Sequence, residues 1–169
     1  MYFELNNYDK ALADYKKAFA LNPNYVTAID NIGAIFGLRA QYDSALFYLN
    51  IALQKNPGYI PSYRNRGLVN LELKRNEDAI KDFKKILELN PNDPDVMNMI
   101  GVCYRNLGKY NEGVTIISEA IKIKQDPRFY LNRAYCYSAL KNVELAKKDI
   151  LFAKQNGVQP DAELLKLLE

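Results

Sequence analysis

The chain has no histidine and only two cysteines in its 169 residues. A histidine-based triad, a histidine metal site and a four-cysteine zinc site are excluded by that count. No apolar run approaches the roughly 18 residues that span a bilayer. The opening Met1-Tyr2-Phe3-Glu4 shows no basic stretch followed by an apolar one, so no secretory signal is visible and a cytoplasmic location is expected. There is no Asn-x-Ser/Thr acceptor, no EF-hand spacing and no Gly-x-x-x-x-Gly-Lys phosphate loop. An excess of one charge is missing too. Lys+Arg is 23 against 20 Asp+Glu, and the net charge of +3 falls short of a nucleic-acid binder's footprint. With 49% hydrophobic and 25% charged residues the chain is of globular composition, sized for one domain or a short repeat array.

What the chain does have is a period. Leu21-Asn22-Pro23, Lys55-Asn56-Pro57 and Leu89-Asn90-Pro91 place their prolines 34 residues apart. Gly33, Gly67 and Gly101 keep the same step, with Ala134 following after 33; Ala11, Ala45, Ala79, Gly113 and Ala146 form a second small-residue series. The connection between Lys124 and Pro127 is therefore one residue short. Within a unit the spacing is helical. Ile29, Ile32, Gly33 and Phe36 form one stripe of a helix over 26–39, and Tyr42, Ala45, Leu49 and Ala52 form another over 42–54. Ala40-Gln41 makes a short turn between them, and proline ends the second helix. Gly33 and Ala45 let the paired backbones approach, while Ile29, Phe36, Tyr42 and Leu49 fill the space around them. One such pair cannot bury its apolar face alone, so neighbours must stack.

These residues resemble the tetratricopeptide repeat, whose pattern is W-x2-L-G-x2-Y, then A-x3-F, then P. Residues 26–59 offer Ile29, Ile32-Gly33, Phe36, Ala45, Leu49 and Pro57. Residues 60–93 offer Tyr63, Arg66-Gly67, Ala79, Phe83 and Pro91, with Asn70 in the aromatic place. Residues 94–126 offer Met97, Ile100-Gly101, Tyr104, Gly113, Ile117 and Ala120, with Gln125 where proline is expected. Residues 127–160 offer Tyr130, Arg133-Ala134, Tyr137, Ala146, Ile150 and Ala153. The resemblance implies an all-α, right-handed solenoid of antiparallel helix pairs. It also implies a protein-interaction module with no catalytic residues, no cofactor and no metal. The chain then reads as a single array over 1–169, opening with a partial repeat (1–25) and closing with a capping helix (161–169).

The ends carry their own expectations. Back-projection puts Met1 inside a first helix and the second helix over Tyr8 to Leu21. That reading suggests a fragment of a longer array, with Tyr2, Phe3, Leu5 and Leu12 poorly covered and available for self-association. At the other end Asp161 is read as an N-cap, with Leu164, Leu165 and Leu168 on a buried stripe and Glu163, Lys166 and Glu169 in water. Glu77-Asp78 and Asp93-Pro94-Asp95 are read as charges at helix starts rather than catalytic pairs. Cys103 and Cys136 fall at one phase, too far apart for a disulfide, and are read as buried free thiols. Lys16-Lys17, Lys84-Lys85 and Lys147-Lys148 are read as a solvated outer face; RNA-reading repeats differ in period and lack this Gly, Ala and Pro set, so neither nucleic acid nor a membrane is the expected partner.

The resemblance also implies a ligand groove lined by the first helix of each pair. Carried over by phase, it takes Thr27, Asp30, Asn31, Ala34 and Leu38, then Arg64, Asn65, Leu68 and Glu72. Asp95, Asn98, Met99, Val102, Arg105 and Asn106 follow, then Arg128, Leu131, Asn132, Tyr135 and Ala139. Asn31, Asn65 and Asn132 share a phase that Met99 interrupts; an asparagine amide both donates and accepts, so such a row suits an extended backbone, or else satisfies neighbouring groups. The clamp that some members use for Glu-Glu-Val-Asp tails is not matched in either window, since Asp30/Ala34 and Arg64/Leu68 stand where Lys/Asn is needed. Arg64, Arg105 and Arg128, beside Leu68, Met99, Leu131 and Tyr135, suit an acidic-apolar segment of a protein or peptide partner. The alternative is an assembly element joined through the first-repeat end.

Overall fold

The computed structural model describes residues 5–168 and divides into two compact units, unit 1 over residues 1–89 and unit 2 over residues 90–169. Unit 1 holds α1 (Leu5–Leu21), α2 (Val26–Leu38), α3 (Tyr42–Lys55), α4 (Ile60–Glu72) and α5 (Asn76–Leu89). Unit 2 holds α6 (Pro94–Asn106), α7 (Tyr110–Ile123), α8 (Pro127–Ala139), α9 (Val143–Gln155) and α10 (Ala162–Leu165), then a 3₁₀ turn, Lys166–Leu168. No strand occurs among the described residues. The packed pairs are α2 with α3, α4 with α5, α6 with α7 and α8 with α9, as the period predicts.

The small residues set the depth of each pair. A β-carbon placed on Gly67 would lie 2.5 Å from Phe83 Cε1, and one on Gly101 would lie 2.3 Å from Ile117 Cγ1. The ring of Phe83 and the side chain of Ile117 are fully buried because they occupy the space a side chain there would need. Burying each such side chain contributes roughly 2 kcal/mol.

The turn inside each pair has one geometry. Ala40, Lys74, Gly108 and Lys141 adopt positive φ, between 55° and 72°. The next amide reaches back five residues, from Gln41 to Phe36 O, Arg75 to Asn70 O, Lys109 to Tyr104 O and Asn142 to Tyr137 O. These are Schellman caps, which occupy the open carbonyls of the first helix and turn the chain into the second. The prolines lie in tight connections between pairs, where Asn22 Oδ1 accepts from the Asn24 amide and Asn56 Oδ1 from the Gly58 amide, each at 3.0 Å.

Three expectations change. The helix expected over 8–21 begins at Leu5, so the turn position at Asn6-Asn7 is helical. A continuing helix keeps its backbone amides paired through these residues. Leu12, expected at the uncovered end, is buried with Ile32 and Ile35 because it faces α2. Tyr2 and Phe3 lie outside the described residues. In the closing segment Leu164 is fully buried and Asp161 caps the helix, accepting from the Leu164 amide at 3.0 Å. Leu165, however, is 38% exposed. Leu167 packs instead, because the α-helix tightens to 3₁₀ after one turn and shifts the apolar stripe.

Candidate functional site

In unit 1, α2 lies beside α4, and the residues facing the open side come from both. Asp30 on α2 is 5% exposed, so it is not a ligand-facing residue as expected. Its Oδ1 accepts from Ser62 Oγ at 2.7 Å, and its two oxygens accept from Asn65 Nδ2 at 3.1 and 3.2 Å. Burial pushes the Asp30 carboxyl above its ordinary range, against the two hydrogen bonds. Asn65 is thereby fixed across the α2–α4 seam. Asn31 donates to Thr27 O of its own helix at 2.9 Å and does not join this network.

Beyond Asn65 the seam opens into a pocket of about 460 Å³ lined by Ala34, Gly37, Leu38, Ala40, Tyr42, Asn65, Leu68, Val69 and Glu72. Leu38 is 69% and Leu68 39% exposed at its mouth. Small side chains make it: Ala34 and Gly37 are one turn apart on α2, and a β-carbon on Gly37 would lie 3.2 Å from Val69 Cγ2. Leu68 and Asn65 were legible in the sequence by phase. Gly37 and Val69 were not, although a small pair at i, i+3 is the signal that marks such a depression.

In unit 2, α6 lies beside α8. Asn132 Nδ2 donates to Asn98 Oδ1 at 3.0 Å, the counterpart of the Asn65–Asp30 link. Met99 is half-buried on α6. The Arg105 guanidinium lies over the Tyr135 ring, 4.9 Å from its centroid. The Tyr135 hydroxyl donates to Asp161 Oδ2. Its phenol is pushed up to about 12, chiefly by burial and then by that carboxylate. Arg105, Tyr110, Tyr135, Ala139, Asp161 and Glu163 line a shallow basin of about 560 Å³. Arg128 stands apart at the start of α8. It pairs with Asp126 at 2.6 Å and lies 3.7 Å from Asp95, and it holds the Asp126 carboxyl well below the usual range. Arg64 is half-buried on α4 of unit 1. The residues anticipated for the site thus fall into the Asn65–Leu68 pocket, the Asn98–Asn132 link and the Arg105–Tyr135 pair, with Asn31 and Arg128 engaged locally.

Away from these faces, Cys103 and Cys136 are free and fully buried. Among the described residues no helix is long and apolar enough to cross a membrane.

Comparison with known proteins gives one answer. Residues 1–38 match the model of the TPR repeat, and residues 60–93, 83–115 and 127–151 match models of the tetratricopeptide repeat. RNA polymerase II-associated protein 3 of Homo sapiens is 33% identical over 98 residues, which are 57% of this chain and 15% of that protein. The chain therefore spans a small part of that relative's length. The crystal structure of MamA matches with a TM-score of 0.81 at 20% identity, over 92% of this chain and 95% of that one. The crystal structure of YrrB, described as a TPR protein with an unusual peptide-binding site, matches with a TM-score of 0.77 at 24% identity, over 95% of this chain and 82% of that one. At such identities the likeness shows the fold, the all-α helix-pair class of tetratricopeptide solenoids.

Proposed function

Because the chain belongs to the tetratricopeptide-repeat family, whose members are protein–protein interaction modules, we propose that it holds a segment of a partner protein on the α2–α4 face of unit 1. The observation that carries this is the pocket between Ala34, Gly37, Leu68 and Val69, an apolar depression open to solvent. Open apolar depressions with a few placed polar groups are binding sites by default. An apolar side chain of the partner enters it. Asn65, already held by Asp30, presents its carbonyl oxygen at the rim to a partner amide. On this reading selectivity comes from shape and from backbone contacts more than from charge. Two of the three arginines expected to attract acidic ligands, Arg105 and Arg128, stand in unit 2, Arg128 beside the carboxylates of its own chain and Arg105 over a tyrosine bonded to one.

A displayed library of random short peptides, selected on the full chain, tests the proposal. Enriched peptides should share an apolar anchor and lose binding to Leu68→Glu and to the pocket-filling Ala34→Phe. They should keep it for Lys84→Glu on the exposed side of α5. Peptides indifferent to both pocket variants would place binding elsewhere and end the proposal.

A further inference from the structure

The closing segment of unit 2 has the chemistry expected of a ligand. Asp161 and Glu163 reach the basin beside Arg105 and Tyr135. Leu164 is fully buried against Ala134 and Ile150, with Leu167 and Leu168 packed around it. The segment is thus two carboxylates followed by leucines. The surface beneath it supplies a guanidinium, a phenol that donates to the first carboxylate, and the apolar flank of Leu131. Leu131, Tyr135 and Ala139 lie at i, i+4 and i+8 on α8, one stripe of one helix.

We propose that this stripe with Arg105 is a receptor for acidic-apolar segments, that residues 160–168 are its resident occupant, and that a partner segment of the same pattern displaces them. The fit is reciprocal in charge as well as shape. The Asp161 carboxyl is lowered first by the Tyr135 hydroxyl, then by the Leu164 amide, with the field of Arg105 adding to both. The resident is built to leave. It is a single α-helical turn and a 3₁₀ turn, too short to persist without the contacts it makes. An incoming segment that repeats those contacts and extends further along the α6–α8 face replaces every bond it breaks. The inference extends the binding reading to a second face and rests on it, but its test does not touch the pocket of unit 1.

The probe is a labelled synthetic peptide with the sequence of residues 160–168, followed by fluorescence anisotropy against the full chain. In wild type the resident competes in cis and binding should be weak. In Asp161→Ala/Glu163→Ala, and separately in Leu164→Ala, binding should tighten at least ten-fold. Adding Arg105→Glu to either should abolish the gain. Thermal melts confirm that each variant is folded; Asp161→Ala/Glu163→Ala, which leaves the buried leucine in place, keeps the test decisive if Leu164→Ala unfolds. Lys84→Glu should change nothing, and no variant used here lies in the unit 1 pocket, so failure here and failure there read separately. No tightening in the carboxylate variant, or tightening that survives Arg105→Glu, would overturn the proposal.

Discussion

Arg66 on α4 places its Nη2 2.6 Å from Asp82 Oδ1 on α5, inside a helix pair where the repeat pattern calls for apolar residues. Asp82 is 4% exposed. Arg66 also donates through Nε to both Asp82 oxygens and through Nη1 to Asn50, and Asn70 donates to Asp82 Oδ2. The same arrangement returns in unit 2, with Arg133 on Asp149 and on Ser118. In the first full repeat the corresponding positions are Ile32, Phe36 and Tyr48, the two rings stacked at 5.6 Å. Alternate repeats therefore solve one packing problem in two ways, with an ion pair and with an apolar stack.

That contrast predicts a strong non-additivity. Arg66→Ile alone leaves the Asp82 charge buried without its partner and should cost about 3 kcal/mol. The triple variant Arg66→Ile/Asn70→Phe/Asp82→Tyr transplants the first repeat's solution and should return to within about 1 kcal/mol of wild type. Urea denaturation of the single and triple variants measures both. A triple variant no more stable than the single would mean that the two solutions are not interchangeable.

The intra-pair turns yield a second prediction. Lys74 and Lys141 hold the left-handed conformation at φ 58°. A residue with a β-carbon loses about 1 kcal/mol there relative to glycine. Lys74→Gly should therefore raise stability by up to about 1 kcal/mol, and Gly108→Ala, at φ 72°, should lower it by a similar amount. Paired thermal melts should show opposite shifts, and shifts of one sign would refute the account.

The thiols supply a third. Burial raises Cys103 to about 12 and Cys136 to about 11. A thiol reagent needs the thiolate and a path to it, and the folded chain offers neither at pH 8. Both cysteines should react with a chromogenic disulfide only as fast as the chain opens, and at once in denaturant. A rapid phase in native buffer would show one of them accessible. The raised values also have a stability sign. Above the unfolded thiol value of 9.0 the unfolded chain releases these protons first, so stability should fall as pH climbs from there.

How far the sequence could be read follows from these particulars. Spacing located the turns of the four packed pairs, because close backbone contacts require Gly or Ala at Gly33, Gly67, Gly101 and Ala134, but it also implied one at Asn6-Asn7, which is helical. It could not announce the left-handed caps, since lysine at 74 and 141 carries no glycine signal. Asn70 reads as a departure from the repeat pattern, and Arg66 reads with Gly67 as the Leu-Gly pair. Their partner Asp82 lies on the other helix, and only the packed pair shows the three to be one network. Phase placed Asn65, Asn98 and Asn132 on the ligand-facing helices. It could not say that their amides are already committed to Asp30 and to each other. Nor could it show the pocket beside Leu68, which needs α2 and α4 side by side.

Asp30 closes the set, because its position predicts an unusual pH dependence. Desolvation raises its carboxyl from 3.8 despite the bonds from Ser62 and Asn65. A carboxyl raised on folding keeps its proton in the folded chain at pH values where the unfolded chain has released it. Its contribution to stability is complete below pH 3.8 and is lost as pH rises through the folded value. Asp30→Asn removes the buried charge while leaving a carbonyl to accept from Ser62 Oγ. The variant should match or trail wild type near pH 4 and gain on it as pH rises from there towards neutrality, until the folded carboxyl is itself ionised. Urea midpoints across that range are the measurement. A wild-type advantage that grows with pH would mean that the Ser62 and Asn65 hydrogen bonds outweigh the cost of burying the charge.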